Sequence, residues 1–243
     1  MSDALEVLKT ARSQGPLPLS DLLPRLGISR HAFGRLVRSR PDRILRIGAR
    51  KTARYALART IPGVASPIPV FELGPAKDVP PTHLLDLVPI QPTGFAVVPA
   101  DGSPARAYDD LPWFLHDHRP QGFLGRQIPH LFRDLRAPDD IRIWSASDVL
   151  RYATTVASGP TGALVIGRAP LLAARHFHAP GPEATTAANL LPQLAARVEA
   201  DLHAPTAGSS AAGEQPKLLA TLNPSSGRTD LIVKYSPPLD TAV

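Results

Sequence analysis

A small-residue loop and two lysines near the end of the chain have the side chains and the spacing to bind phosphate. Ser209–Lys217 reads Ser-Ser-Ala-Ala-Gly-Glu-Gln-Pro-Lys, and the apolar stretch Leu231–Val233 leads directly into Lys234. A glycine-containing loop lets backbone N–H groups approach phosphate oxygens, because no side chain blocks them, and lysine adds a compact positive charge. Glu214 stands where a Walker loop has its lysine, which disfavours a P-loop NTPase. By composition alone, the same residues also fit a surface linker followed by an edge strand.

These residues resemble the nucleotide-binding segment of HipA-like serine/threonine kinases. In that family a loop of the form S-x-A-G-x-Q-x-K covers the nucleotide, and the nucleotide lysine ends a hydrophobic strand. The matching residues, which the resemblance implies bind ATP, are Ser210, Ala212, Gly213, Gln215, Lys217 and Lys234. The resemblance also implies that Ser210 is the site of autophosphorylation.

Further pieces of the same resemblance lie upstream and follow in the family's order. The pattern D-x-R-P-x-G-x-x-G-R of the family's N-terminal subdomain is carried by Asp117, Arg119, Pro120, Gly122, Gly125 and Arg126. Asp148–Leu150 and Gly162–Gly167 continue it. The resemblance thus covers residues 85–243, about two-thirds of the chain.

Kinase chemistry needs an aspartate that positions the attacking hydroxyl, and Asp or Asn ligands for Mg²⁺. In HipA-like kinases these residues lie in a helical C-lobe beyond the nucleotide lysine. After Lys234 the sequence offers only Asp240. We therefore expect no catalytic residue and no metal ligand in this chain, no phosphoryl transfer by it alone, and a fragment or truncated form of a longer kinase. For the longer protein the resemblance implies ATP and Mg²⁺ as cofactors, a toxin–antitoxin role, and a protein substrate or antitoxin as partner.

Composition limits the remaining possibilities. The 243 residues can form two modest domains, and the absence of cysteine excludes disulfides and thiolate metal sites. No apolar run is long enough to span a membrane and no signal-peptide pattern is present, so a cytoplasmic location is expected. Two histidine pairs at i, i+2 suit a strand face, and we interpret them as surface or structural residues rather than metal ligands: His116, His118, His176 and His178.

Charge is concentrated in the first quarter of the chain. Residues 1–60 contain 13 Lys/Arg against 4 Asp/Glu, a net charge of +9, whereas the remainder carries −3. A strongly basic segment attached to a mildly acidic one indicates a nucleic-acid-binding module joined to a different kind of domain.

The basic segment has the pattern of a helix-turn-helix. Predicted helices span Ser2–Ser13, Asp21–Leu26 with Ser20 as N-cap, and Arg30–Ser39 with Ser29 as N-cap. Gly27 supplies the turn between the last two helices. Phe33, Leu36 and Val37 are predicted to face inward.

The stretch Arg43–Leu57 alternates apolar and basic residues around a Gly-Ala-Arg-Lys turn, which predicts a β-hairpin wing. We therefore expect a winged helix-turn-helix that binds duplex DNA. A small protein-interaction domain with a solvated basic face is the alternative. Some HipA-like proteins carry their own DNA-binding domain, and this layout resembles that subgroup. The predicted DNA-binding residues are Ser29, Arg30, His31, Arg35, Arg38, Arg50, Lys51 and Arg54.

The middle of the chain is predicted to form a small sheet. Short strands are expected at His83–Val88, Gly94–Val98 and Arg106–Tyr108, and a further one at Val70–Leu73. Helices are expected at Ser145–Ala157, capped by Ser145 or Ser147, and at Thr185–Leu202. We expect two apolar groups to be core rather than ligand-stacking residues: Trp113, Phe114 and Leu115, and Phe123 and Leu124.

The predicted fold class is α+β, a winged helix-turn-helix followed by a mixed small-sheet kinase N-lobe. Its predicted parts are the DNA-binding domain 1–62, a proline-rich connector 63–83, a HipA-like N-terminal subdomain 84–203 and the start of the kinase N-lobe 204–243. The alternative function is that of a non-enzymatic transcriptional regulator whose second domain binds a protein or a small ligand.

Overall fold

The computed structural model describes residues 15–74, 79–155, 163–177, 217–222 and 229–234. Its architecture is mixed α and β with antiparallel sheets, which confirms the α+β class. The chain divides into two compact units, Met1–His116 with Ile166–Arg168, and Asp117–Val165 with Ala169–Val243. Three predicted features lie outside the described residues: the helices at Ser2–Ser13 and Thr185–Leu202, and the loop 204–216.

The first unit begins with a small helical segment backed by a three-stranded sheet. Its strands pair antiparallel in the order β1 (Leu17–Pro18), β3 (Arg54–Leu57) and β2 (Ile44–Ile47). A 3₁₀-helix, Arg50–Thr52, lies between β2 and β3. Between β1 and β2 lie α1 Leu19–Leu26 and α2 Arg30–Ser39.

Helix α1 starts earlier than predicted, and the prediction of Ser20 as its N-cap is wrong. Pro18 occupies the N-cap position without a side-chain capping bond, and the Ser20 hydroxyl donates to the Asp21 carboxylate at 2.9 Å. Proline has a preset φ and no N–H to satisfy, so a helix can begin directly after it. The predicted end is confirmed, because Gly27 adopts the left-handed conformation with φ of 61°.

A five-stranded sheet follows, with its strands in the order β7 (Arg106–Tyr108), β6 (Phe95–Pro99), β5 (Thr82–Pro89), β4 (Ile68–Glu72) and β8 (Leu164–Ile166). Strands β4 to β7 pair antiparallel, and the three strands predicted at 83–108 are present within two residues of their expected bounds.

Strand β4 confirms the short strand predicted at Val70–Leu73, begins two residues earlier, and lies inside the stretch predicted as a proline-rich connector. Its Ile68 and Val70 are almost fully buried, at 1% and 0% exposure. Pro69 lacks an N–H for the ladder, but its carbonyl accepts a hydrogen bond from Gly167 N–H at 2.7 Å. The residues around 68–72 therefore contribute core, and the prolines beside them do not prevent strand pairing.

The two sheets of the first unit share an apolar contact. Ile47 and Ala56 of the β2–β3 hairpin are buried together with Val88, Ile90 and Ala96 of β5, β6 and the turn between them. Backbone bonds reinforce the contact, since Gly48 N–H donates to the Ala105 carbonyl at 2.8 Å. The hairpin is thus fixed to the larger sheet.

Arg59 fastens the same junction. Its guanidinium donates to the carbonyls of Ile90 at 3.1 Å and Thr93 at 2.8 Å, and lies 5.2 Å from the centre of the Phe95 ring. Burial lowers the pKa of Arg59 because a desolvated guanidinium is less favourable. The bonds to two carbonyls and the ring face compensate for that cost.

In the second unit, the D-x-R-P-x-G-x-x-G-R pattern has a structural role. Helix α3, Gly122–Leu131, passes so close to the preceding backbone that a Cβ on Gly125 would lie 2.9 Å from the carbonyl carbon of Pro120. Only glycine fits such an approach. Arg119 donates to the backbone carbonyl of the buried Trp144 at 3.2 Å.

Helix α4, Ala146–Thr155, confirms the predicted helix and decides its cap. The Ser145 hydroxyl accepts from Asp148 N–H at 3.3 Å, and the Asp148 carboxylate accepts from Ser145 N–H at 3.0 Å, which is a reciprocal capping box. Arg151 then pairs with Asp148 at 3.0 Å and donates to the Leu135 carbonyl. The remaining described elements are α5 Arg168–Phe177, β9 Lys217–Leu222 and β10 Thr229–Lys234.

The prediction of a core position is confirmed for Leu115 and wrong for Trp113, and the prediction of a strand face for His116 and His118 is also wrong. Trp113 is 72% exposed, whereas Leu115 is fully buried. His116 and His118 lie in a 3₁₀-helix, Trp113–His118, and not on a strand. With three residues per turn, such a short helix buries only some of its apolar side chains. The side chains of Phe123 and Leu124 lie outside the described part.

The half-buried imidazole of His118 makes the free energy of unfolding depend on pH. Burial lowers the pKa of His118 from 6.5, and Asp117 opposes the shift only in part. The native state therefore binds fewer protons than the unfolded state, and stability is expected to fall as pH drops below about 6.5. Urea unfolding between about pH 7.5 and about pH 5 measures this slope.

His118→Gln should flatten the slope, and His116→Gln, at an exposed position of the same 3₁₀-helix, should leave it in place. An unchanged slope in His118→Gln would show that His118 is not the group responsible.

Candidate nucleic-acid interface and nucleotide segment

Helix α2 separates a basic face from an apolar one. Phe33 is 2% exposed and lies in the core, with Leu36 and Val37 packed beside it, as predicted. The residues of the other face are exposed, and they are Arg30, His31, Arg35 and Arg38. The helix therefore presents three guanidinium groups and an imidazole to solvent from one rigid element.

Ser29 fixes where this helix begins. Its hydroxyl oxygen accepts from Ala32 N–H at 3.2 Å, and its carbonyl accepts from Phe33 N–H at 2.9 Å. The capping bond uses an acceptor lone pair, so the hydroxyl retains its donor hydrogen. Ser29 is thus confirmed as the N-cap, and its side chain can still donate to a phosphate oxygen.

An aromatic contact ties α2 to the hairpin. The rings of Phe33 and Tyr55 meet edge to face, with centroids 4.9 Å apart and an interplanar angle of 86°. Leu17, Leu22 and Ile44 complete the buried cluster around them. The helix, the hairpin and β1 therefore share one core, which holds the basic face of α2 at a fixed angle to the hairpin.

The tip of the β2–β3 hairpin carries two more exposed cations, Arg50 and Lys51. Gly48 has a φ of 75° and Arg50 a φ of 51°, and the 3₁₀-helix at Arg50–Thr52 closes the turn. Thr52 donates through its hydroxyl to the Ala49 carbonyl at 2.9 Å. The left-handed conformation of Arg50 costs an L-residue about 1 kcal/mol or more. The other contacts of the turn compensate for this cost.

Arg54 lies at the base of the tip, opposite Ile47 on one side and Pro18 on the other. Its guanidinium is exposed and reaches the Pro16 carbonyl at 3.4 Å. The structure therefore places the predicted DNA-binding residues on two adjacent elements, α2 and the hairpin.

Two exposed arginines escaped the sequence-based assignment. Arg43 precedes β2 and Arg46 lies on it, and both are exposed. The available signal was the concentration of basic residues between positions 43 and 54, four Arg and one Lys with no acidic residue among them. Between residues 15 and 60 there are 11 Lys/Arg but only two acidic residues, Asp21 and Asp42.

The predicted nucleotide residues are described only in part. Strands β9 and β10 form an antiparallel pair in which Lys217 and Lys234 are direct partners. The backbones of Lys217 and Lys234 are therefore directly opposite each other in the strand pair. Ser210, Ala212, Gly213 and Gln215 lie outside the described residues.

The described part of the chain contains neither a candidate metal cluster nor a candidate membrane span. No three His, Cys, Asp or Glu side chains in it are grouped so that they could hold a metal ion. None of its helices has both the length and the apolar character that crossing a bilayer requires.

The middle of the chain is similar to a family of toxins. Residues 64–175 match the family model for the YjjJ-like toxin, middle domain, a range that starts just before β4 and ends within α5. A curated relative is Toxin YjjJ of Escherichia coli (strain K12), which is 37% identical over 233 residues. The alignment covers 95% of this chain and 51% of the relative, so the chain spans about half of that protein's length. No solved structure matches the chain.

Removing the Ser29 hydroxyl tests the capping assignment. Ser29→Ala leaves Ala32 N–H without its acceptor, so the free energy of unfolding is expected to fall by about 1 kcal/mol. Ser29→Asp keeps an oxygen acceptor and should retain most of the stability. Urea unfolding of the three proteins measures the difference, and equal loss in both variants would contradict the capping role.

Proposed function

We propose that this chain is a DNA-binding member of the YjjJ-like toxins, with a winged helix-turn-helix before the matched middle domain and the nucleotide hairpin of a HipA-like serine/threonine kinase after it. The observation that carries the DNA-binding part is the exposed basic face of α2, held on one core with a basic hairpin tip. The toxin part rests on the family match at 64–175 and on the name of the relative.

Charge and shape together support duplex DNA as the partner. Helix α2 follows α1 after a left-handed glycine turn, the arrangement in which the second helix of a helix-turn-helix enters the major groove. Arginines on such a helix neutralise phosphates and read guanine through two parallel hydrogen bonds. The hairpin tip, with Arg50 and Lys51, is suited to the phosphates beside the groove.

A charge-deletion pair on α2 tests the DNA interface. Arg35→Ala with Arg38→Ala removes two cations, so affinity for duplex DNA should fall at least about tenfold. The slope of log affinity against log salt should also become shallower by about two. Fluorescence anisotropy of a labelled mixed-sequence duplex over a salt series measures both quantities.

The matched control is Arg133→Ala with Arg168→Ala, which removes the same charge from two exposed positions that are not part of the proposed interface. It should keep nearly the original affinity and slope. If both pairs weaken binding equally, net charge alone explains it. If the unaltered chain binds no duplex at low salt, the protein-interaction alternative replaces the DNA-binding one.

The β9–β10 hairpin supports a phosphate-binding role. Lys217 and Lys234 are direct partners in the register, so the two lysines come from the same position of the strand pair. Lysine is a compact positive charge that suits phosphate oxygens. We propose that Lys217 and Lys234, together with the backbone of the loop from Ser210 to Gln215, hold the triphosphate of ATP.

Bound with Mg²⁺, ATP would supply the transferable phosphoryl group. The lysines of this chain would bind and orient it. The catalytic aspartate and the metal ligands belong, in this proposal, to a C-lobe. The substrate would be a serine or threonine side chain of another protein. This phosphorylation is the activity we propose for the toxin.

Nucleotide affinity tests the hairpin and the loop in a version of the protein that includes the C-lobe. Lys234→Ala should weaken ATP binding by about tenfold, because it removes a positive partner of the phosphates. Ser210→Asp, which imitates part of the charge that a phosphate would add, should weaken it, whereas Ser210→Ala should not. Titration with a fluorescent ATP analogue measures these affinities.

Lys51→Ala, in the DNA-binding module, is the control and should bind nucleotide normally. Equal affinities for Ser210→Asp and Ser210→Ala would contradict the placement of the loop at the phosphates. Equal affinities for Lys234→Ala and the unaltered protein would leave the non-enzymatic regulator as the better description.

A further inference from the structure

A glycine stands in the middle of the helix that carries the basic face. Gly34 is the fifth of the ten residues of α2. Glycine in a helix interior is less favourable than alanine by about 1 kcal/mol, because its backbone loses more freedom on folding. Gly34 therefore lowers the stability of helix α2, on which the proposed DNA interface depends.

Nothing in the described residues requires glycine at this position. Its φ is outside the left-handed region, and a Cβ would meet only an Arg38 guanidinium nitrogen, at 3.7 Å, which is an ordinary contact. Other glycines differ. A Cβ on Gly94 would lie 2.4 Å from the Tyr108 carbonyl oxygen, and one on Gly125 only 2.9 Å from backbone. Backbone contacts require those two glycines, whereas no contact among the described residues requires Gly34.

The position of Gly34 on the helix indicates what it serves instead. It lies four residues after Arg30 and four before Arg38, so all three share one stripe of the helix surface. Arg35 is adjacent, and Phe33 points into the core. A side chain at 34 would project among the arginines, on the face that we propose meets DNA.

We propose that Gly34 is a positioning residue of the DNA interface, and that the missing Cβ lets the backbone of α2 approach the base edges in the major groove. The close approach brings the arginines on either side within reach of bases and phosphates. The inference rests on the proposed DNA-binding function. It predicts that stability and affinity respond to substitution in opposite directions.

Gly34→Ala in the full 243-residue chain is the first test. Its melting temperature is expected to rise by about 2–4 °C, because alanine favours the helix. Its affinity for a duplex selected by the unaltered chain from a random-sequence pool is expected to fall by about tenfold. Thermal unfolding and fluorescence anisotropy measure the two effects.

Two larger substitutions separate helix propensity from side-chain size. Leucine favours a helix more than serine does, but it is much bulkier. Gly34→Leu should therefore be more stable than Gly34→Ser and yet bind the selected duplex more weakly. A general loss of helix structure would instead make the less stable variant the weaker binder.

The possible outcomes are distinct. If the unaltered chain binds no duplex, the proposed function fails. If the unaltered chain binds the duplex, and Gly34→Ala and Gly34→Leu bind it as tightly as the unaltered chain does, only the positioning role fails. If Gly34→Ala melts at a lower temperature, the glycine serves packing within the chain, and the inference is overturned.

Discussion

The burial of one hairpin on both of its faces is the constraint on which the first unit depends. Along β2 and β3 the side chains alternate between two cores: Ile44, Tyr55 and Leu57 pack toward α2, whereas Ile47 and Ala56 pack toward β5 and β6. A hairpin buried on both faces cannot shift its register by one residue without exposing both sets. The angle of the basic helix and the position of the hairpin tip both follow from this arrangement.

The same constraint attaches the hairpin of the proposed DNA-binding module to the larger sheet. A wing attached through a flexible connector would move independently of the domain that follows it. Here the Gly48–Ala105 hydrogen bond and the Arg59 guanidinium fasten the hairpin to the larger sheet. Within the first unit, a change in the sheet therefore changes the support of the hairpin. The sheet and the proposed DNA interface are thus physically connected within this unit.

Local features were predictable from the sequence. The Ser29 cap, the Gly27 turn and the β-hairpin around Gly48 were all found where their residue types predicted them, because each depends on hydrogen bonds and dihedral angles within a few residues. The start of α1 was predicted wrongly because two residues near it can each begin a helix, Pro18 and Ser20. The helix begins directly after Pro18.

The sequence by itself determined the order of the elements, the basic character of α2 and the pattern that resembles a kinase nucleotide segment. Only the tertiary structure decided that the basic hairpin is buried on both faces, that β4 is core, and that Trp113 is exposed. The tertiary structure also distinguishes two glycines. Backbone contact requires glycine at position 125, whereas no contact among the described residues requires it at position 34. Caps and turns are fixed by neighbours along the chain, whereas burial is fixed by partners distant in sequence, which periodicity alone cannot identify.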